Sequence, residues 1–238
     1  MKKILQSPFL QGSFYMMLAN VFMGAMNYIF NVVAGRQLGP EGYGNVTTLF
    51  AYMAVLTIPL AAISNVLIQR IGAQGDSKIS YAAAVEQWTY AQYKKYWYIV
   101  LFLLILTPFT PWLTNLTPVA AYSIIPLFLI SIIATVYDGL LTGLHRFFLV
   151  SFIGVIAVGI KLIGALAGYI VPDPLFTVLM VFNLSLVIKI ILDKIVLQKD
   201  LNKNTKHSIK IEKTVIQVLK NKQFLLTIGS ILSITLIN

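Results

Sequence analysis

Cysteine is absent from the 238-residue chain, which excludes disulfides, thiol nucleophiles and cysteine metal sites. Charge is nearly as scarce: 11% of residues are charged, against roughly 25% in soluble domains. The two histidines, His145 and His207, have no acidic cluster around them, so neither makes a credible metal site. No Walker-type glycine loop, dinucleotide fingerprint or Ser-His-Asp context occurs. Enzyme chemistry and direct ATP drive therefore lack support, and no cofactor is expected.

Long apolar runs fill the space that charge leaves. Apolar residues make up 58% of the chain, and the mean hydropathy is +0.82. Water is not the solvent for such a composition. Runs at 12–34, 43–67, 96–113, 119–141, 148–170 and 175–197 each approach the roughly 20 residues that carry a helix across a bilayer. They are continuous and not alternating, which argues against a barrel, and backbone satisfaction in lipid then requires helices. The expected fold class is all-α, a polytopic transmembrane helix bundle. Met1-Lys2-Lys3 before an apolar run has the look of a secretion signal, but the run from 12 to 34 exceeds a signal core of roughly 7–15 residues and reads as a retained first helix.

Lysines and arginines set the expected orientation. Lys2 and Lys3 precede the first run; Arg70, Lys78, Lys94 and Lys95 lie between the second and third; Arg146 lies between the fourth and fifth; and eight of the 18 basic residues fall between Lys194 and Lys222. The turns at 35–42, 114–118 and 171–174 hold Arg36 alone. The positive-inside rule predicts six spans with the N-terminus inside, and accounts for the net charge of +10 without nucleic acid. Residues 1–197 are expected to form a six-helix lobe and 198–223 a basic cytoplasmic linker. The remaining apolar stretch, 224–238, is too short to cross and reads as the start of a truncated seventh helix, as in a fragment of a longer transporter. Between the second and third spans, Ser77 is a candidate cap for a helix in which Tyr81, Val85, Trp88 and Gln92 recur at helical spacing. An interfacial helix and a plain connecting loop both fit this segment.

At the first turn the sequence reads Gly35-Arg36-Gln37-Leu38-Gly39-Pro40-Glu41-Gly42-Tyr43-Gly44. Gly39 and Gly42 permit tight turning, Pro40 fixes φ, and Glu41 suits the N-terminus of the following helix. This hairpin closely resembles that of the polysaccharide-biosynthesis flippases of the multidrug/oligosaccharidyl-lipid/polysaccharide exporter superfamily, which have a similar Arg-x-Leu-Gly-Pro-x-x-Tyr-Gly turn. Six spans, a basic linker and a further apolar run resemble the N-terminal lobe of that two-lobe family. The resemblance implies a multi-pass protein of the bacterial cytoplasmic membrane that translocates a polyprenyl-pyrophosphate-linked oligosaccharide for capsule, exopolysaccharide or other surface-polysaccharide assembly. Implied partners are the lipid-linked oligosaccharide, membrane lipids, and a polysaccharide polymerase and glycosyltransferases. The first helix lacks the arginines of the lipid II branch, which disfavours the peptidoglycan precursor. A drug exporter of the same superfamily and a non-transporting accessory subunit are the alternatives.

Polar residues inside the apolar runs mark the candidate path. Ser13, Asn20, Gly24, Asn27 and Asn31 share one face of the first helix, suited either to interhelical hydrogen bonds or to a hydrated cavity. Lys161 lies about 20 Å into the fifth helix on a face with Gly154, Ala157, Gly164, Ala165 and Gly168. Small residues of this kind face protein or a cavity, so Lys161 and Arg36 are candidate cations for the pyrophosphate, with a snorkelling lysine or a structural ion pair as the alternative. Asp138, on a face with Ser131, Thr135 and Thr142, is the coupling-ion candidate; capping or hydration is its plainer role, and its depth argues against pairing with Lys161. Pro59 is a candidate bend, and Tyr96, Trp97, Tyr98 and Trp112 suit interfacial anchoring.

Overall fold

The structure, a computed structural model, describes residues 8–202, and every regular element among them is helical. The elements are α1 (Pro8–Gly72), α2 (Lys78–Lys95), α3 (Trp97–Leu106), α4 (Thr110–Thr114), α5 (Pro118–Gly143), α6 (Phe147–Ala167) and α7 (Pro174–Asn202). Short 3-10 turns stand at Gly75–Ser77, Thr107–Phe109 and Gly168–Ile170. The stretches Gly12–Gly72, Trp97–Thr114, Pro118–Gly143, Phe147–Ile170 and Pro174–Leu201 are long and apolar enough to cross a membrane. Large apolar side chains such as Phe22, Val55, Phe102 and Ile163 cover their outer faces. This is a multi-pass membrane helix bundle. The expected linker beyond residue 202 and the expected seventh helix at 224–238 lie outside the described residues.

The first two expected spans are the two limbs of α1. Its only non-helical residue is Gly39, at φ 66° and ψ −178°, a region that essentially only glycine enters. The rings of Phe30 and Phe50 have centroids 6.3 Å apart, whereas twenty residues of straight helix would separate them by about 30 Å. The helix therefore doubles back at Gly39, and the expected loop at 35–42 shrinks to one residue. Gly42 is helical; its role is close approach, since a Cβ there would lie 3.0 Å from Leu38 Cβ. Pro59 keeps helical dihedrals within the second limb. The third expected span is not one helix: α3 gives way to the 3-10 turn and then α4, where Pro108 and Pro111 each remove a backbone donor.

Contacts at the two ends show how the helices alternate. At one end, Ile71 of α1 meets Gly143 of α5, where a Cβ would fall 2.8 Å from Ile71 Cβ, and Arg146 reaches Asp200 of α7. At the other, the Asn45 side chain accepts from the Thr117 backbone at 2.8 Å, and the Gln37 amide covers Gly168. Arg70, Lys78, Arg146, Lys194 and Lys199 gather at the first end, and Arg36 lies at the Gly39 end. Two Gly-x-x-x-Gly pairs draw helices together, as small residues do in lipid. Gly139 and Gly143 admit the second limb of α1, and Gly164 and Gly168 admit Val181 of α7 and Gln37 of α1.

Segment 78–95 is a helix and not a plain loop. Tyr81, Ala82 and Val85 are buried against Ile71, Leu140, Leu141 and Leu197, so α2 lies across the helix ends. Ser77 takes the N-cap position without capping: its hydroxyl donates back to the Gln74 carbonyl at 2.9 Å.

Candidate functional site

Lys161 stands fourteen residues from the start of α6, about 21 Å along it. On its face Ala157, Gly164, Ala165 and Gly168 are buried, and a Cβ on Gly164 would come 2.5 Å from Val181 Cβ. That side of α6 packs on α1 and α7. With so little bulk around it, the lysine side chain runs between the two limbs of α1 and α7. Its Nζ lies 4.0 Å from the ring centre of Phe30, 4.7 Å from that of Phe50 and 5.3 Å from that of Phe182. All three are inside the range of about 6 Å over which a ring quadrupole attracts a cation. Nζ also donates a 3.0 Å hydrogen bond to Asn27 Oδ1. No carboxylate reaches ion-pair distance of Lys161 among the described residues. A full positive charge is thus held inside the bundle by one amide and three rings.

The structure brings together only part of the residue set expected from the sequence. Asn27 reaches Lys161, whereas Asn20 and Asn31 on the same face of the first limb are exposed and make no such contact. Gly24 faces open space there. Arg36 is exposed near the α1 turn and makes no ion pair among the described residues. Within the turn, Gly35 lies under the Tyr43 ring, where a Cβ would stand 3.8 Å from Tyr43 Cγ, and Gly44 is open.

A second polar cluster joins α5 to α7. Lys189 donates to Asp138 Oδ1 and, at 2.9 Å, to Asp193 Oδ2 one turn along its own helix. Side-chain exposure is 12% for Lys189, 36% for Asp138 and 0% for Asp193. The second Asp193 oxygen, Oδ1, is buried with no partner among the described residues. Two carboxylates share one ammonium, so the cluster carries a net charge of −1 when fully ionised. Asp138 does not pair with Lys161, as its depth led us to expect, and ion pairing replaces the capping role. Thr135 leaves the cluster alone, donating instead to the Ser131 carbonyl at 2.8 Å.

Sequence reasoning passed over Lys189 and Asp193, although a Lys-Asp pair four residues apart within an apolar run is a visible signal. Phe30, Phe50 and Phe182 carried none, because phenylalanine is ordinary in such runs. Arg146, read only as a topological charge, grips Asp200 with two hydrogen bonds of 2.7 and 2.6 Å, a fork that ties the α5–α6 turn to the end of α7.

No protein-family model, no curated protein and no solved structure matches the chain.

Proposed function

We propose that this helix bundle is the N-terminal lobe of a flippase that moves a polyprenyl-pyrophosphate-linked oligosaccharide across the cytoplasmic membrane. Counting each limb of α1 once gives six spans, and the basic end faces the cytoplasm with the N-terminus. The observation that carries the reading is the Lys161 charge, which has no carboxylate partner among the described residues. A cation neutralised at its own site has nothing to offer an anion. This one is held by neutral groups that a pyrophosphate can displace or share. Arg36 at the α1 turn supplies a second positive charge on the far side, and exposed Asn20 and Asn31 offer amides to sugar hydroxyls. Asp138, with Lys189 and Asp193, is the coupling-ion locus, where uptake of one proton takes the cluster from −1 to neutral. Capsule or exopolysaccharide assembly, with a polymerase and glycosyltransferases as partners, follows from the family resemblance of the Gly35–Gly44 turn.

One observation favours a second reading. Lys161 already touches both limbs of α1 and α7, so it also suits a structural pin in an accessory subunit that does not transport. Lys161→Gln and Lys161→Arg, made in the full-length two-lobe parent, distinguish the two, with flipping of a labelled lipid-linked oligosaccharide and membrane abundance measured together. The flippase reading expects normal abundance with slow flipping in Lys161→Gln and partial activity in Lys161→Arg. Parental flipping by Lys161→Gln defeats it, and loss of abundance without loss of specific activity identifies a pin.

A further inference from the structure

Where α2 crosses the bundle end it leaves a cavity of about 260 Å³, walled by α2, α5 and α7. That is more room than the cavity of about 150 Å³ that accommodates benzene. Ile133, Val136 and Leu140 of α5 and Ile190 of α7 form an apolar floor. The rim is polar and carries both signs. Glu86 accepts from the Tyr137 hydroxyl at 2.9 Å, and Lys194 donates to the Tyr90 hydroxyl at 3.2 Å. Glu86 and Lys194 are not paired with each other. Tyr93 also lines the cavity, and its hydroxyl is buried without a partner among the described residues. Burial pushes it up to about 12, so it stays a protonated donor.

An apolar floor under one carboxylate, one ammonium and one idle hydroxyl describes the complement of a particular amphiphile. We propose that the cavity holds one membrane phospholipid with an amine-bearing zwitterionic head group, its phosphate on Lys194, its ammonium on Glu86, an ester carbonyl on Tyr93 and part of an acyl chain on the apolar floor. The place suits a lipid: α2 is not one of the long apolar helices, and it lies across the ends of those that are. A head group with negative charge alone meets the Glu86 carboxylate. A quaternary ammonium reaches the tyrosine faces but has no N–H to donate to Glu86. A free phosphate or phosphoethanolamine fits the rim and leaves the floor bare.

The test uses the full chain, purified and delipidated in a defined detergent, with thermal unfolding followed on adding dioleoyl phosphatidylethanolamine, phosphatidylcholine, phosphatidylglycerol or soluble phosphoethanolamine. Ligand that binds only the folded state raises the midpoint by mass action. Phosphatidylethanolamine is expected to bind about tenfold more tightly than either other lipid, at the low end of what one hydrogen bond to a charged group contributes. Phosphoethanolamine is expected to produce no shift. Glu86→Gln, which still accepts from Tyr137, and Lys194→Gln, which removes the ammonium at an intermediate surface position, are each expected to erase the preference while folding normally. Tyr93→Phe removes the idle hydroxyl, so it should raise the midpoint without lipid and shrink the gain on adding lipid. Equal or tighter binding of phosphatidylglycerol overturns the proposal, as does an unchanged preference in both charge variants, an unchanged gain in Tyr93→Phe, or an equal response to phosphoethanolamine.

Discussion

Replacing Lys189 by methionine removes the only cation between two carboxylates, one of them fully buried. Breaking a buried ion pair by deleting one partner costs about 3–5 kcal/mol, because the remaining charge stays buried and uncompensated. Asp193, at 0% exposure, meets that condition; Asp138, at 36%, is partly screened and adds little. Lys189→Met is therefore expected near the middle of that range. At about 2–4 °C per kcal/mol for chains of this size, a loss of about 4 kcal/mol should lower the unfolding midpoint in detergent by about 8–16 °C. Asp193→Asn acts differently. It takes the cluster from a net −1 to a simple pair with Asp138, so its loss should be the smaller. The triple variant Lys189→Met, Asp138→Leu, Asp193→Leu leaves no charge at all, and replacing a whole buried network by hydrophobic residues of similar volume is often neutral or stabilising by about 1–4 kcal/mol. The triple variant must then unfold at a higher temperature than Lys189→Met alone. If it unfolds lower, or if Lys189→Met leaves the midpoint unchanged, the cluster is not the buried, under-neutralised network described here.

Other consequences are equally open to measurement. Gly39→Ala forces a side chain into a region that costs about 1–3 kcal/mol, so membrane-inserted protein should fall while Gly44→Ala, facing open space, behaves as the parent; equal yields would refute the hairpin geometry. Gly164→Ala places a Cβ 2.5 Å from Val181 and should destabilise by about 1–3 kcal/mol in thermal unfolding. Gly24→Ala meets nothing within 4 Å and should be neutral or gain about 0.5–1 kcal/mol from lower backbone entropy. Reporters fused after Leu38, Leu116 and Asp173 should report one side of the membrane and those after Gly75 and His145 the other, with the basic end in the cytoplasm; a cytoplasmic signal at Leu116 would break the six-span layout.

The helices were legible because lipid leaves few choices: a long apolar run with satisfied backbone is a helix, and the runs around residues 119–141, 148–170 and 175–197 became α5, α6 and α7 with ends moved by a few residues. Hydropathy averages hide local backbone chemistry. Pro108 and Pro111 split the third run although its apolar character never falters. The Gly-Pro pair announced a reversal, but not that helix would persist to within one residue of it on both sides. Lys161 and Asn27 were both singled out, yet their meeting depends on Met23 and Met26 of the first limb packing onto Gly154 and Gly159, which no spacing along one helix encodes. For Asp138 the partner was in view. Lys189 and Asp193 were counted within a span and given no role, when two opposite charges one turn apart in lipid already implied a local pair in want of company.

The single-residue reversal at Gly39 also bears on how such a chain enters a membrane. With no slack between the limbs, the proposed layout has the pair enter as one closed hairpin whose tip crosses the whole bilayer. Each elementary charge moved against a potential of 100 mV requires about 2.3 kcal/mol of electrical work. The tip carries Arg36 on one limb and Glu41 on the other, five residues apart, so its charges cancel. In the proposed layout the leading end of the bundle is thus electrically silent during insertion, while the basic residues of the opposite end stay on the cytoplasmic side.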